Sequence, residues 1–292
     1  MNKVLITGVS GFLGGHVFAK VESRFECRGT YYSANVPGVI PNWYQIDLCD
    51  LFAVFQLVSE FKPDVIIHTA ANSNLDACEL NPVEAQEVNV QATAHLVSAA
   101  AQVGARFIHL STDMVFDGSD FLYKESFKPN PISVYGHTKL QSEDVVSQYA
   151  NSVIVRAALI YGRKKFGGSS FSMWIEQHLC RKQKISLYAD QFRSPIYVEN
   201  LADILIELAQ SDYTGLLHAG GTNRIDRYNF GKQLCEAGGY EASLLVPGRI
   251  ADAGHAAPRP KDVSLDVSLI CTVCKTPILS TEEGLVHMFD HD

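Results

Sequence analysis

Short apolar runs alternate with stretches of helical period through the first half of the chain. Val4-Leu5-Ile6 reads as a buried strand, Phe25 to Tyr32 and Trp43 to Ile46 as two more, and Asp64 to Thr69, Arg106 to Leu110 and Ser152 to Leu159 as a further three. Between them, Leu51, Phe52, Val54, Phe55, Leu57, Val58 and Phe61 predict a helix stopped by Pro63. Asn81-Pro82 has the order of a cap and first helical position, and the helix behind it is expected to run to about Gln102 before Gly104. The run DVIIHT at 64–69 is apolar without alternation, as a strand buried on both faces of a parallel sheet must be. Strand and helix in alternation predict a doubly wound α/β sheet. After Tyr161 the pattern changes to a lysine- and glycine-rich segment, a helix at Phe171 to Cys180, and an amphipathic helix at Val198 to Ala209.

The first strand runs straight into Gly8, Gly11 and Gly14. The first glycine allows a sharp turn, the second lets backbone approach a pyrophosphate, and the third brings helix and sheet together. The spacing is G-x-x-G-x-x-G, and with Ser10, Phe12 and Leu13 it places the free N–H groups of a helix start against phosphates. This makes residues 1–161 an NAD(P)-binding domain of Rossmann type, with strand and helix returning near 185–210. Residues 162–292 are expected to form mainly a discontinuous, smaller substrate lobe. The second strand ends in Arg28-Gly29-Thr30-Tyr31-Tyr32-Ser33, with no carboxylate to hold a ribose 2′-hydroxyl. That favours NADP over NAD, with Arg28 or Ser33 near a 2′-phosphate, unless these residues merely end a strand. Asp47, followed by Leu48, is placed to accept from an adenine amino group or to cap the helix that follows. Ala70-Ala71 ends the fourth strand with small residues that leave room for a ligand.

A chain of 292 residues with 47% hydrophobic and 19% charged residues has the composition of a globular enzyme. A net charge of −8 argues against nucleic-acid or anionic-membrane partners. The N-terminal apolar run is too short for a signal peptide, and no run has the length of a membrane span. Seven scattered cysteines fit a reducing cytoplasm. Cys271 and Cys274 form a lone CxxC, read as packing, and no metal site is expected. His68 and His109 are expected to be structural, Asn89 to hold a neighbouring loop, and His287, His291 and Asp292 to form a frayed tail.

The fifth strand delivers Ser111-Thr112-Asp113-Met114, and Tyr135-Gly136-His137-Thr138-Lys139 follows a turn-rich segment. Tyr135 and Lys139 lie on one face of a helix. An ammonium beside a phenol favours the phenolate, so this pairing is expected to lower the tyrosine pKa.

In these residues the chain resembles an extended short-chain dehydrogenase/reductase, and most closely the dTDP-4-dehydrorhamnose reductase branch. The resemblance is carried by the three glycines, by Asp76-Ala77-Cys78-Glu79, STDMVFDG and YGHTK, and by the stretches Ser194 to Ala202 and Arg259 to Asp266. It implies Thr112 as catalytic hydroxyl, Tyr135 as general acid and Lys139 as its partner and a holder of the nicotinamide ribose. It also implies reduction of a 4-keto nucleotide-diphosphate-sugar by NAD(P)H, with Asp113 and Met114 beside the sugar and Arg193 and Arg259 on the diphosphate. Met114 stands where the branch has tyrosine, a departure that bears on substrate preference. Asp113 serves equally as a turn cap, and each arginine as an ordinary ion-pair partner. A homodimer is the candidate assembly. Two other readings stay open: a sugar-nucleotide epimerase or dehydratase, and a non-catalytic NADP-binding regulatory subunit like the β-subunit of methionine adenosyltransferase. Lys164 to Ser170 reads as a lid over an anionic ligand or as a solvated connection.

Overall fold

The computed structural model describes residues 1–32 and 40–290. In chain order its main elements are β1 (Lys3–Thr7), α1 (Phe12–Val21), β2 (Glu26–Tyr31), β3 (Trp43–Gln45), α2 (Leu51–Phe61), β4 (Val65–His68), α3 (Leu75–Leu80), α4 (Pro82–Gln86), α5 (Ala92–Val103) and β5 (Arg106–Thr112). They continue with α6 (Val134–Ser147), β6 (Ser152–Ala157), β7 (Ile160–Tyr161), α7 (Phe171–Cys180), β8 (Ile185–Tyr188), β9 (Phe192–Arg193), β10 (Ile196–Tyr197) and α8 (Val198–Gln210). The last are β11 (Gly215–Ala219), β12 (Ile225–Asp226), α9 (Arg227–Gly238), β13 (Leu245–Gly248), α10 (Ser268–Val273) and α11 (Thr281–Asp290).

A seven-stranded sheet of order β11-β6-β5-β4-β1-β2-β3, parallel throughout, forms the centre. Its strand order reverses between β1 and β4, which opens a crevice at the carboxyl ends of the strands. One face buries Val4 and Ile6 with Val17 and Phe18 of α1 and Leu201, Ile204 and Leu205 of α8. The other buries Leu5 and Ile66 with Leu57, Val58 and Phe61 of α2 and Leu96 of α5. The returns to this sheet are α8 and β11. The strand near 185 does not return: β8 pairs with β13 in the lobe, where Ile185 and Leu187 pack against Phe230 and Leu234 of α9.

Several local expectations change. Asp50, not Asp47, caps α2, accepting from Phe52 N at 2.9 Å and Ala53 N at 3.2 Å. Asn81 makes no side-chain cap bond, and the helix behind it passes through a π turn at Glu87–Gln91 before α5. The Thr93 hydroxyl donates back to Asn89 O at 2.8 Å inside that turn. His287 belongs to α11, held to the lobe by buried Leu285 and Met288, so it is no frayed tail; residues 291 and 292 lie outside the described residues. Cys274 is buried but Cys271 is exposed, so only one of the pair packs.

Candidate functional site

The glycine loop is built by close approach. Gly8 turns with φ 76°, and its N–H reaches Thr30 O at 2.8 Å. A Cβ on Gly14 would lie 2.3 Å from Gly8 O, so only glycine lets α1 start so near β1. Gly11 is the N-cap of α1, and Gly11, Phe12 and Leu13 line a cavity of about 590 Å³ above the sheet. The first-turn N–H groups have no acceptor within the helix and open toward that cavity. These features fit a pyrophosphate-bearing cofactor. Ala71 also lines the cavity, whereas Ala70 lies against Gly8 beneath it. Ser10 turns its carbonyl toward Gly167 of the 163–169 segment.

Three sequence candidates for the adenine end do not line that cavity. The Arg28 guanidinium stacks on Tyr44 and Phe61, 5.0 and 4.7 Å from the ring centres, because its place on β2 faces α2. Asp47 accepts from Cys49 N at 2.9 Å, and Leu48 O meets His95 Nδ1 at 3.1 Å. Ser33 lies outside the described residues.

In the segment 164–170, Lys164, Lys165, Gly168 and Ser169 are exposed, while Phe166 and Ser170 anchor it. Phe166 packs edge-on against Trp43 at 5.2 Å, His16 Nε2 meets Arg163 O at 2.8 Å, and Gly168, at φ 73°, sits over the start of α1.

Thr112 ends β5 and Ser133 caps α6, accepting from Gly136 N at 3.2 Å, which brings Tyr135 and Lys139 to the same wall as Thr112. Burial raises the Tyr135 pKa, and the Thr112 hydroxyl beside it opposes that rise. The expected lowering by Lys139 is therefore reversed. Lys139 is 2% exposed, and burial lowers its pKa to about 8 against the pull of Glu143. Its Nζ lies 3.3 Å from His109 Nε2, which meets Ser142 Oγ at 2.9 Å. His109 is held neutral by burial and by the Lys139 charge. Ser111, the other hydroxyl of the pair, donates to Glu143, which binds Arg156 through contacts of 2.9 and 2.7 Å. His68 is spent between Thr7 and Thr93, and Asn89 holds Asn72 and Thr138.

The same cavity is lined by three arginines, Arg193, Arg227 and Arg259, with Tyr188, His255 and Trp174. Arg193 is buried; its Nε is 3.6 Å from Asp113 Oδ2 and its Nη2 is 3.7 Å from Met114 Sδ. Asp113 accepts from Thr112 and so links it to Arg193, its own pKa raised by burial. Arg259 donates to Asp76 Oδ2 at 2.8 Å, and Asp76 Oδ1 accepts from Ala257 N at 2.9 Å. Both arginines that the sequence assigned to a diphosphate are thus already engaged by carboxylates. Arg227 was missed, as were Tyr188 and His255, whose side chains meet at 2.6 Å. Only a motif could have flagged them, and none surrounds them.

The model of the RmlD substrate binding domain matches residues 1–292. The chain belongs to the RmlD family of extended short-chain dehydrogenase/reductases. Among the relatives of this RmlD-family chain is the probable low-salt glycan biosynthesis reductase Agl14 of Haloferax volcanii, 33% identical over 90% of this chain and 89% of that protein. Another is methionine adenosyltransferase 2 subunit beta of Xenopus tropicalis, 32% identical over 91% and 80%. The crystal structure of dTDP-4-dehydrorhamnose reductase from Bacillus anthracis in complex with NADP superposes with a TM-score of 0.90 at 26% identity, covering 100% of both chains. The Thermotoga maritima UDP-glucose 4-epimerase, at 21% identity and a TM-score of 0.84, shares the fold. Among the described residues of the RmlD-family chain, no cluster of side chains suits a metal ion and no helix is long and apolar enough to cross a membrane.

Proposed function

We propose that this chain is an NADPH-dependent reductase of a 4-keto nucleotide-diphosphate-sugar, most like dTDP-4-dehydrorhamnose. The observation that carries the reading is one cavity lined together by Gly11 to Leu13, by Thr112, Tyr135 and Lys139, and by three arginines. The turn from Gly8 to Gly14 would hold the cofactor's phosphates, Ala71 would leave room for it, and Lys139 would hold its nicotinamide ribose. When bound, NADPH supplies hydride to a carbonyl carbon. Tyr135 donates its phenolic proton to the carbonyl oxygen as that oxygen gains negative charge. The raised Tyr135 pKa keeps that proton in place at neutral pH. Thr112 hydrogen-bonds the same oxygen, which matters most as charge builds there. Lys139 places a cation behind the phenol and favours its deprotonated form once the proton has left. Asp113 and Met114 border the sugar. NADP is preferred over NAD because no carboxylate ends β2, and the free cysteines suit the cytoplasm.

The test is oxidation of NADPH by the purified protein in the presence of dTDP-4-dehydrorhamnose. Tyr135→Phe should lower turnover by roughly 10²- to 10⁴-fold while NADPH still binds. Turnover unchanged in that variant would refute the assignment. The likeness to methionine adenosyltransferase 2 subunit beta supports a second reading, a regulatory subunit that binds NADP. Absence of turnover on any keto-sugar nucleotide, together with a stable complex with a methionine adenosyltransferase catalytic subunit, would favour it.

A further inference from the structure

Three guanidinium groups face one cavity, and they are not equivalent. Arg193 is held by Asp113 and by the backbone oxygens of Phe192 and Pro260. Arg259 is held by Asp76 and by Ala257 O. Arg227, the first residue of α9, donates from Nε to Gln191 Oε1 at 3.0 Å and lies over the Phe171 ring at 4.5 Å. Its Nη1 is buried with no hydrogen-bond partner, and the Asp113 carboxylate, whose Oδ2 likewise has none, acts on it only through space. A buried charged donor left without an acceptor is costly, and such a group is retained where a ligand supplies the acceptor. Gln191 and Phe171 fix the plane of the guanidinium of this cavity-lining residue. The neighbouring arginines add positive potential and select for an anion.

We infer that Arg227 is a further residue that directly binds the substrate's diphosphate, beside Arg193 and Arg259, which line the same cavity. This inference rests on the nucleotide-diphosphate-sugar reading and names a further side chain that enforces it. A guanidinium with an unpartnered donor matches the non-bridging oxygens of a phosphate. Arg227 therefore distinguishes a nucleoside diphosphate from the bare nucleoside.

The experiment is calorimetric titration of the NADPH-loaded protein with dTDP, UDP, inorganic pyrophosphate and thymidine, in wild type, Arg227→Gln and Arg227→Lys. Wild type is expected to bind at least one nucleoside diphosphate far more tightly than thymidine. Arg227→Gln should weaken that binding by about 10- to 100-fold, with Arg227→Lys recovering part of it and the Kd for NADPH unchanged. Diphosphate binding within twofold of wild type in Arg227→Gln would overturn the inference while leaving the substrate class standing. A wild type with no preference for diphosphates over thymidine would overturn both. Should Arg227→Gln lose NADPH binding through misfolding, Gln191→Leu keeps the charge and frees its orientation. A loss of about three- to tenfold in diphosphate affinity is then expected, and no loss overturns the inference.

Discussion

Replacing Lys139 by methionine should stabilise the fold while removing the activity. The Lys139 side chain is 2% exposed, and burial brings its pKa from 10.5 to about 8. At about 1.36 kcal/mol per pKa unit, holding the ammonium in this site costs about 3 kcal/mol. Because the folded-state pKa lies below the unfolded one, the unfolded chain binds more protons between about pH 8 and pH 10.5. Stability contributed by this group therefore rises with pH through that window, and below it the full penalty stands. Methionine keeps the apolar stem in place and carries no charge to desolvate. Urea unfolding of wild type and Lys139→Met at pH 7 and pH 10 reads the difference directly. The variant should be more stable at pH 7 by up to about 3 kcal/mol, and the gap should narrow toward pH 10. A gap equal at both pH values, or a variant less stable at pH 7, would refute the reasoning. The same depressed pKa predicts that wild-type turnover declines on the alkaline side as pH passes about 8, not near the ordinary lysine value.

Two further outcomes follow from other parts of the structure. Glu143→Gln leaves the Arg156 guanidinium buried without its carboxylate, and urea unfolding should show a loss of about 3–5 kcal/mol; a loss below about 1 kcal/mol would mean that Arg156 finds other partners. Gly168→Ala would put a Cβ 2.4 Å from Phe12 N at a backbone φ of 73°, so the 163–169 segment should lift and trypsin should cut at Lys164 or Lys165 several times faster; an unchanged digestion rate would show that the segment is not seated by this contact.

The central sheet was legible because its inner strands, β1 and β4, are buried and apolar almost without interruption, while the helices between strands show their period. The α2 helix from Leu51 to Phe61 and α7 from Phe171 to Cys180 have the bounds their sequences predict. The errors came where two residues of the same chemistry compete. Asp47 and Asp50 are both placed to cap α2, and only the backbone turn at 47–49 shows that Asp50 does so. The strand at 185–188 has the composition of a sheet strand, but its partner, β13, is 60 residues away in the lobe. No local pattern announces such pairing.

At the site, spacing revealed which residues share an element but not what faces them. Tyr135 and Lys139 are four apart on α6, and from spacing alone the ammonium belongs beside the phenol. The structure places His109 of β5 next to the ammonium and buries the phenol, so desolvation outweighs the expected attraction and the tyrosine pKa rises. The arginines show the same limit. Arg193 and Arg259 sit in recognisable motifs, yet Asp113 and Asp76, which hold them, come from the other half of the chain. Arg227 has no motif, and its Nη1 is left without a hydrogen-bond partner. Which of three identical cations keeps an unpartnered donor is decided by what the fold has placed against each. That is a property of contacts between distant segments, and for this reason the diphosphate titration on Arg227→Gln tests the tertiary structure rather than the motif.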